Sequence, residues 1–425
     1  MLGGDEPRTY FVGFTTPAEA RGSGGFMGNW AEITVTDGRF EMTAFGRADD
    51  LNETGDPQTR RFPIGDADMD RWLAQYGPFH LASGPGGTTG SAPWKNINMS
   101  PDIAATGRAI AALYPQSGGG ELDGVFVLDV YALARLLQFT GPIPLPDGAV
   151  VDGQTTVTAD TAADLLLNDQ YDLTETDDRI DVLEDFSRAV VATLLGGTLP
   201  PPDELVDVLG PMVDQGRIAT WMARADEQAV LTRLGMTGTL PSAGDGDGLA
   251  IVFNNAVGNK IDYYLTADAR YTVTADARTS NATATLELML HNNAPVDGEP
   301  SYVIGNPIGL PTGTNRTWVS VFTRLPVQSI TLNGEPTQSE LGSEAGYFVT
   351  STMVTLPAGE RGTLTLELDG TIDVLDAYQL STRTPPTVAP SPLAIDATWV
   401  DVGGGTHRRT DLIGVAGTHR VTVGR

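Results

Sequence analysis

The chain has 425 residues, a formal net charge of −28 and a pI near 4.3, and this acidity repels nucleic acid and anionic lipid head groups as general partners. It contains no cysteine, which excludes disulfides, thiolate metal sites and cysteine nucleophiles and leaves the redox compartment open. The length predicts about two or three domains, each able to bury a core without crosslinks.

Residues 1 to about 235 read as mixed α/β. A strand at Tyr10 to Phe14 is followed by a hairpin whose Asp37-Gly38 is a strong turn signal between alternating runs. A helix is expected over Asp68 to Tyr76, then a glycine-rich surface loop, Ser83 to Gly90. Pro101 and Asp102 open another helix that runs to about Tyr114 and stops at Gly118 to Gly120. Val125 to Leu128 is a continuous apolar run of the buried-strand type, and an amphipathic helix from Tyr131 to Phe139 ends at Gly141-Pro142. Helical patterns follow over Ala159 to Leu167, Asp177 to Leu195, and in two segments between Asp203 and Leu234 separated near Gly216. After a short link, Ser242 to Gly248 (SAGDGDG), the period changes at about Leu249 from helical to alternating. Tyr263 to Thr274, Ala282 to His291, Trp318 to Leu325, Phe348 to Leu356 and Thr363 to Leu368 read as strands, and their spacing argues an antiparallel β-sandwich. A proline-rich bridge, TPPTVAPSP, leads into a last Thr- and Val-rich segment able to add strands. The expected division is therefore an α/β domain over 1–240, a sandwich over 241–383, and the bridge with its C-terminal strands over 384–425.

Among side chains with chemistry to offer, Arg21 stands in ARGSGG between small residues. A guanidinium fork there suits a phosphate or carboxylate ligand, or an ion pair with Asp129 or Asp178. Arg179 is a second candidate for the same cleft. Asp102 is placed to act as a base or metal ligand, and equally to cap its helix, the role that Ser100 and Asp102 more simply fill. Asn96 and Asn98 alternate on an extended segment and so face one side, where two amides bind sugar hydroxyls or satisfy a buried turn. Trp94 and Trp30 offer stacking platforms or ordinary core packing. Glu32, Asp102 and Asp129 are the acids that a glycoside hydrolase reading would use. Four scattered histidines give no zinc spacing, no G-x-S-x-G elbow exists, and Asp66, Asp68 and Asp70 start an EF-hand pattern that Arg71 and Gly77 break. Only two lysines, Lys95 and Lys260, stand against 24 arginines, a skew that genomic base composition accounts for. Lys260 beside Asp262 reads as an ion pair.

Three segments carry a resemblance: Ala20 to Ile33 (ARGSGGFMGNWAEI), Trp94 to Asp102 (WKNINMSPD) and Leu122 to Pro142 (LDGVFVLDVYALARLLQFTGP). With Arg21, Gly24, Gly25, Asn96, Asn98, Asp102, Asp123, Gly124, Asp129, Gly141 and Pro142 in its pattern, about half of the chain resembles domain-of-unknown-function family 4012. That is a family of actinobacterial cell-envelope proteins, itself similar to the LytR-CpsA-Psr glycopolymer transferases. The resemblance implies a LytR-CpsA-Psr-like mixed sheet with flanking helices ahead of the sandwich, an extracellular, envelope-associated location, and a membrane helix ahead of the point where this sequence begins. No apolar run of 18 or more residues and no basic-then-apolar leader occurs within the sequence itself.

In the transferase family an arginine-lined cleft binds a polyprenyl-linked pyrophosphate, usually with magnesium, and passes the glycan to a wall acceptor. Carried over position by position, Arg21 matches the first signature, but Ser23 stands where an acid is expected. Ser100-Pro101-Asp102 keeps the aspartate of the second and loses an arginine, and Arg179 lacks the Arg-Gln pair beyond it. The resemblance thus implies Arg21, Asp102 and Arg179 as catalytic residues in one cleft at the end of the Val125 to Leu128 strand. Asn96, Asn98, Trp94, Asp129 and Glu32 would contact substrate; no metal ligand is assigned, and magnesium is at most weakly held. Glycopolymer transfer to the wall is the first reading, with a cell-wall or polyprenyl-linked glycan as partner. Hydrolysis of envelope polysaccharide and a non-catalytic surface glycan-binding or scaffold module are the alternatives. On the cleft reading, Arg21→Ala abolishes function and leaves the melting temperature nearly unchanged.

Overall fold

The computed structural model describes residues 3–4, 6–63, 67–80, 90, 92–145, 150, 153–168, 186–193, 200–241, 244, 246–374 and 376–424. The protein is mixed α/β, with mostly antiparallel sheets, and it divides into two compact units, Met1–Thr239 and Leu240–Arg425.

In the first unit β1 (Arg8–Thr16), β2 (Phe26–Thr36) and β3 (Arg39–Arg47) lead to α1 (Ala67–His80) and α2 (Ile103–Leu113). Then come β4 (Gly124–Asp129), α3 (Val130–Thr140), the short β5 (Ile143–Pro144) and β6 (Thr156–Val157), α4 (Ala162–Leu167) and α5 (186–193). The unit closes with α6 (Pro202–Asp214), β7 (Ile218–Met222) and α7 (Ala225–Arg233). Five strands form one sheet in the order β3-β2-β1-β4-β7, in which β1 and β4 run parallel and the other pairs antiparallel. β1 is central because its apolar residues alternate with nothing polar: Tyr10, Phe11, Val12 and Phe14 are buried on both faces. The β2–β3 turn has Asp37 and Gly38 at φ 50° and 74°, the doubly positive pair that the type I′ hairpin needs.

The run IATWM, expected to belong to the helical segment that follows the break near Gly216, is instead β7, an edge strand antiparallel to β4. Five residues between two helices are too few for a period of 2 to show. Of the helix expected over Asp177 to Leu195, residues 186–193 are described as α5; Arg179 and the loop Ser83 to Thr89 lie outside the described residues. α2 packs on β7 at Gly107, where an added Cβ would stand 2.5 Å from Trp221 Cβ. Gly107→Ala is therefore expected to destabilise the unit by about 1–3 kcal/mol despite alanine's better helix propensity, read as a lower urea midpoint. An unchanged midpoint would show that the helix can slide away from the tryptophan.

The second unit is built on strands: β8 (Asp247–Asn255), β9 (Leu265–Asp276), β10 (Asn281–Asn292), β11 (Asn315–Thr323), β12 (Val327–Leu332), β13 (Glu335–Pro336), β14 (Glu340–Glu344), β15 (Tyr347–Leu356) and β16 (Arg361–Thr371). β17 (Ala377–Thr384), β18 (Leu393–Val400), β19 (Thr406–Ile413) and β20 (Gly417–Gly424) complete it, with a single helical turn, α8 (Ser301–Ile304). They form a seven-stranded sheet, β13-β12-β16-β10-β9-β18-β19, and a six-stranded sheet, β14-β15-β11-β8-β17-β20. β10 shows the sequence logic: Ala282, Ala284, Leu286, Leu288 and Leu290 are buried, while Thr283, Glu287 and Met289 between them face out. The strands beyond the proline-rich bridge belong to these same two sheets, since β18 pairs with β9, and β20 with β17.

Asp247 and Gly248, read as the end of a flexible link, instead open β8, all of whose residues are buried. The Asp247 carboxylate accepts hydrogen bonds from the Tyr271 hydroxyl on β9 and the Tyr378 hydroxyl on β17, each 2.7 Å, and from Gly248 N at 2.8 Å. One acid thereby ties the two sheets together. Burial raises its pKa against the lowering pull of those three donors, and burial likewise pushes both tyrosines well up.

Candidate functional site

β1 and β4 run parallel and end together, Thr15 opposite Asp129. Ligands of open α/β sheets gather beyond such carboxyl ends, and two of the loops singled out in the sequence start there. The chain after β1, residues 17–25, folds back under strong local restraint. Ser23 Oγ donates to Ser100 O at 2.6 Å and Ser23 N to Asn98 O at 3.1 Å. Asn98 Nδ2 in return donates to Gly25 O at 2.6 Å and Ser23 O at 3.2 Å, and Phe26 N donates to Glu19 O at 2.8 Å. The serine that replaces an expected acid thus clamps one loop to another. Asn98 fills the buried-turn role; its expected pairing with Asn96 on one face of an extended segment does not occur. Pro93–Asn96 form a 3-10 turn with proline at its start, which leaves Asn96 half-buried and Asn98 fully buried.

Arg21 lies within this loop and is buried. Its Nη2 contacts Glu19 Oε1 at 3.0 Å, Nη1 donates to Ala20 O at 2.8 Å, and the guanidinium stands 5.6 Å from the Phe26 ring centre. Glu19, two residues away, is therefore an ion-pair partner of Arg21, and Asp129 is paired with Arg217 instead; Asp178 lies outside the described residues. With only 5% of the arginine side chain and 6% of the glutamate exposed, the expectation that Arg21→Ala leaves folding nearly unchanged no longer fits. Asp102 is the cap of α2, accepting from Ala104 N at 3.0 Å, while Ser100 Oγ accepts from Asp102 N at 3.0 Å. The cap reading is the one that the geometry displays.

Asp129 is also a cap. Its Oδ1 accepts from Tyr131 N and Ala132 N at 3.0 and 2.9 Å, and its Oδ2 meets Arg217 Nη1 at 2.6 Å. Burial pushes this carboxyl up, opposed by Arg217 and the two backbone donors. Arg217 also stacks on Tyr131, 4.0 Å from the ring centre. Sequence reasoning missed both Glu19 and Arg217. The signal for Glu19 was its closeness to Arg21; Arg217 precedes a strand that was not seen.

Beside Asp129 a narrow cavity lined by Phe14, Thr16, Asn29, Leu128 and Ser187 has room for about one water molecule. Among the described residues, the buried hydroxyls of Thr16 and Ser187 have no hydrogen-bond partner there. Of the aromatic candidates, Trp94 is a core residue, 1% exposed, which stacks on Phe11 at 5.8 Å and donates Nε1 to Ser117 Oγ at 3.0 Å, and so is no platform for a sugar. Trp30 is half-buried and stacks on the same Phe11 ring at 5.7 Å. Glu32 accepts from the Tyr114 hydroxyl at 2.9 Å and from Thr43 Oγ1 at 2.7 Å. It stands opposite Phe11, whereas Asp129 stands opposite Thr15. Those backbones are about 13 Å apart along the strands alone, beyond the roughly 6.5–9.5 Å between the carboxyls of an inverting glycosidase. Among the described residues no group of three or more His, Asp or Glu side chains is arranged to hold a metal. Arg21 and Asp102 thus stand on two loops that bind each other, and Arg179, the third member of the expected cleft, lies outside the described residues.

Residues 5–171 match the family described as a protein of unknown function (DUF4012), so the domain family read from the sequence holds for that segment. No curated protein matches the chain. Among solved structures, the Lin1025 protein of Listeria innocua is 14% identical, with 55% of this chain and 78% of that chain covered and a TM-score of 0.27. Protein gbs0355 of Streptococcus agalactiae is 12% identical over 55% of this chain and 73% of that one, with a TM-score of 0.30. A Legionella pneumophila protein, lpg2210, is 7% identical over 35% of this chain and 54% of its own, with a TM-score of 0.24, so the match spans about half the length of that protein.

Proposed function

We propose that the chain is an extracellular cell-envelope protein that holds a wall glycan without transferring it. On this reading the first unit is a LytR-CpsA-Psr-like domain and the two sheets of the second pack as a β-sandwich. The observation that carries the reading is charge matching at the ends of β1 and β4. Arg21 is paired with Glu19 and Arg217 with Asp129, all largely buried. A polyprenyl pyrophosphate would bring several negative charges to arginines that already face internal carboxylates, and binding it would strip those carboxylates of their partners. The carboxylates of Asp102 and Asp129 serve helix starts. The cavity beside Asp129 is lined by neutral polar groups, the hydroxyls of Thr16 and Ser187 and the Asn29 amide, and has room for about one water molecule, so it offers a pyrophosphate no place either.

The test is to incubate the protein with insoluble bacterial wall polysaccharide and with a lipid-linked, radiolabelled oligosaccharide, with magnesium and with EDTA. The expected result is co-sedimentation with the polysaccharide, indifferent to EDTA, and no labelled product. Label appearing on the wall fraction would restore the transferase reading, and new reducing ends would restore the hydrolase.

A further inference from the structure

Within the second unit, charge is sorted to opposite ends of the sheets. β13 and β14 are the outermost strands at one end of the seven- and six-stranded sheets, and β19 and β20 are outermost at the other. Three residues join β13 to β14 and three join β19 to β20, so the two sheets finish side by side at both ends. Residues 325–360, which include the first end, contain four glutamates and no lysine, arginine or histidine. Residues 402–425, which include the second, contain four arginines and two histidines against the single acid Asp411. Glu335 and Glu340 are exposed on β13 and β14, and Arg408 and Arg420 on β19 and β20; among the described residues none of the four has an ion-pair partner. Arg409 is used internally, its Nε meeting Asp411 Oδ2 at 2.7 Å and its Nη1 donating to Thr422 O at 3.1 Å, which ties β19 to β20. Each end also shows a large apolar side chain to solvent, Leu341 on β14 at 78% exposure and Leu412 on β19 at 73%, the two most exposed large apolar side chains among the described residues.

An outermost strand offers unpaired N–H and C=O groups to another chain, and charge at an edge serves to block such pairing. Blocking needs charge of either sign, however, and does not account for one sign at each end. Like charges oppose joining two copies through the same end, whereas the two different ends attract. We propose that copies of this chain associate head to tail through their second units, the β13–β14 end of one against the β19–β20 end of the next. Continuing both sheets across the joint sets Glu335 beside the strand of Arg408 and Glu340 beside that of Arg420. Pro336 has no N–H, so main-chain pairing falls to β14 and β20, while β13 and β19 meet through side chains. Leu341 and Leu412 lie at the joint and are covered by it. Because the joint uses two different surfaces, each added copy presents a fresh end, and the assembly stays open unless it closes into a ring.

The experiment is sedimentation velocity of the whole chain at about 0.15 M salt, where a Debye length of about 8 Å screens the overall charge but not charges in contact. The average mass is expected to rise with concentration past that of a dimer. Arg408→Glu with Arg420→Glu gives one variant with acidic charge at both ends, and Glu335→Arg with Glu340→Arg gives a second with basic charge at both. Each alone should stay monomeric. Mixing them should restore association, because the first keeps the native acidic end and the second the native basic end, and that recovery is beyond the reach of misfolded chains. Leu341→Ser in the otherwise native chain should lower the association constant about tenfold or more. A native chain that is monomeric at every concentration, association that persists in either charge variant alone, or a mixture that stays monomeric although both variants melt as the native chain does would each overturn the proposal.

Discussion

Replacing Arg21 with alanine is expected to destabilise the first unit by about 3–5 kcal/mol, the usual cost of breaking a buried ion pair from one side. The substitution removes the guanidinium from Glu19 Oε1 and from Ala20 O and leaves the Glu19 carboxylate in a setting where only 6% of its side chain meets solvent. Glu19 also supplies, through its backbone oxygen, the bond that closes the loop onto Phe26, so the disturbance should spread along residues 19–26. The double variant Glu19→Gln with Arg21→Met should recover much of the loss, because it removes both charges together. Urea unfolding of the wild type, Glu19→Gln, Arg21→Met and the double variant gives a double-mutant cycle, and a coupling of about 1 kcal/mol or more is expected, within the ordinary range for residues in contact. A melting temperature unmoved by Arg21→Ala would instead mean that the arginine faces solvent and is available to a phosphate.

The second large effect belongs to Asp247. Asp247→Ala deprives the fully buried hydroxyls of Tyr271 and Tyr378 of their acceptor, and each such loss costs about 1–3 kcal/mol. A total near 4 kcal/mol is expected, with Tyr271→Phe and Tyr378→Phe each near 1–2 kcal/mol. The pH dependence has a definite sign. Since burial raises the folded-state pKa of Asp247 above its unfolded value, the native form keeps its proton longer than the unfolded chain does. Its contribution is fully present below the unfolded pKa, near 4, and is lost as pH rises through the folded value. Asp247→Asn should therefore gain on the native protein as pH increases from about 4 and match it more nearly in acid. Parallel pH curves for the two proteins would show that the three donors outweigh burial and keep the carboxylate ionised.

Much of this architecture was legible because single elements obey local rules. Asp37-Gly38 specifies a hairpin, Asp102 stands where a helix cap belongs, and β10 alternates without a fault. β7 escaped because five residues between helices carry no readable period, and Asp247 escaped because SAGDGDG has the composition of a linker although its end is a buried strand. The site was less legible for a different reason. Whether an arginine serves a ligand or an internal acid depends on which side chain the fold brings to it, and Arg217 reaches Asp129 from 88 residues away. A motif can show that a residue type is present, but the partner that consumes its charge appears only with the tertiary structure.

β8 lies between β11 and β17, and β9 between β10 and β18. For β9 one neighbour follows within a few residues, whereas β11 begins 60 residues after β8 ends, and the other neighbour of each strand starts more than a hundred residues later. A ribosome working from the N-terminus thus releases β8, a strand buried along its whole length, long before residue 384 exists to cover its second edge. The early hairpin of β9 and β10 can form at once, but the six-stranded sheet has to wait for nearly the whole message to be translated. Distant pairings of this kind slow folding and prolong exposure of a bare strand edge. Production of the second unit should accordingly be governed by the time its early strands spend unpaired, and a folding helper that shields strand edges would act chiefly during that interval.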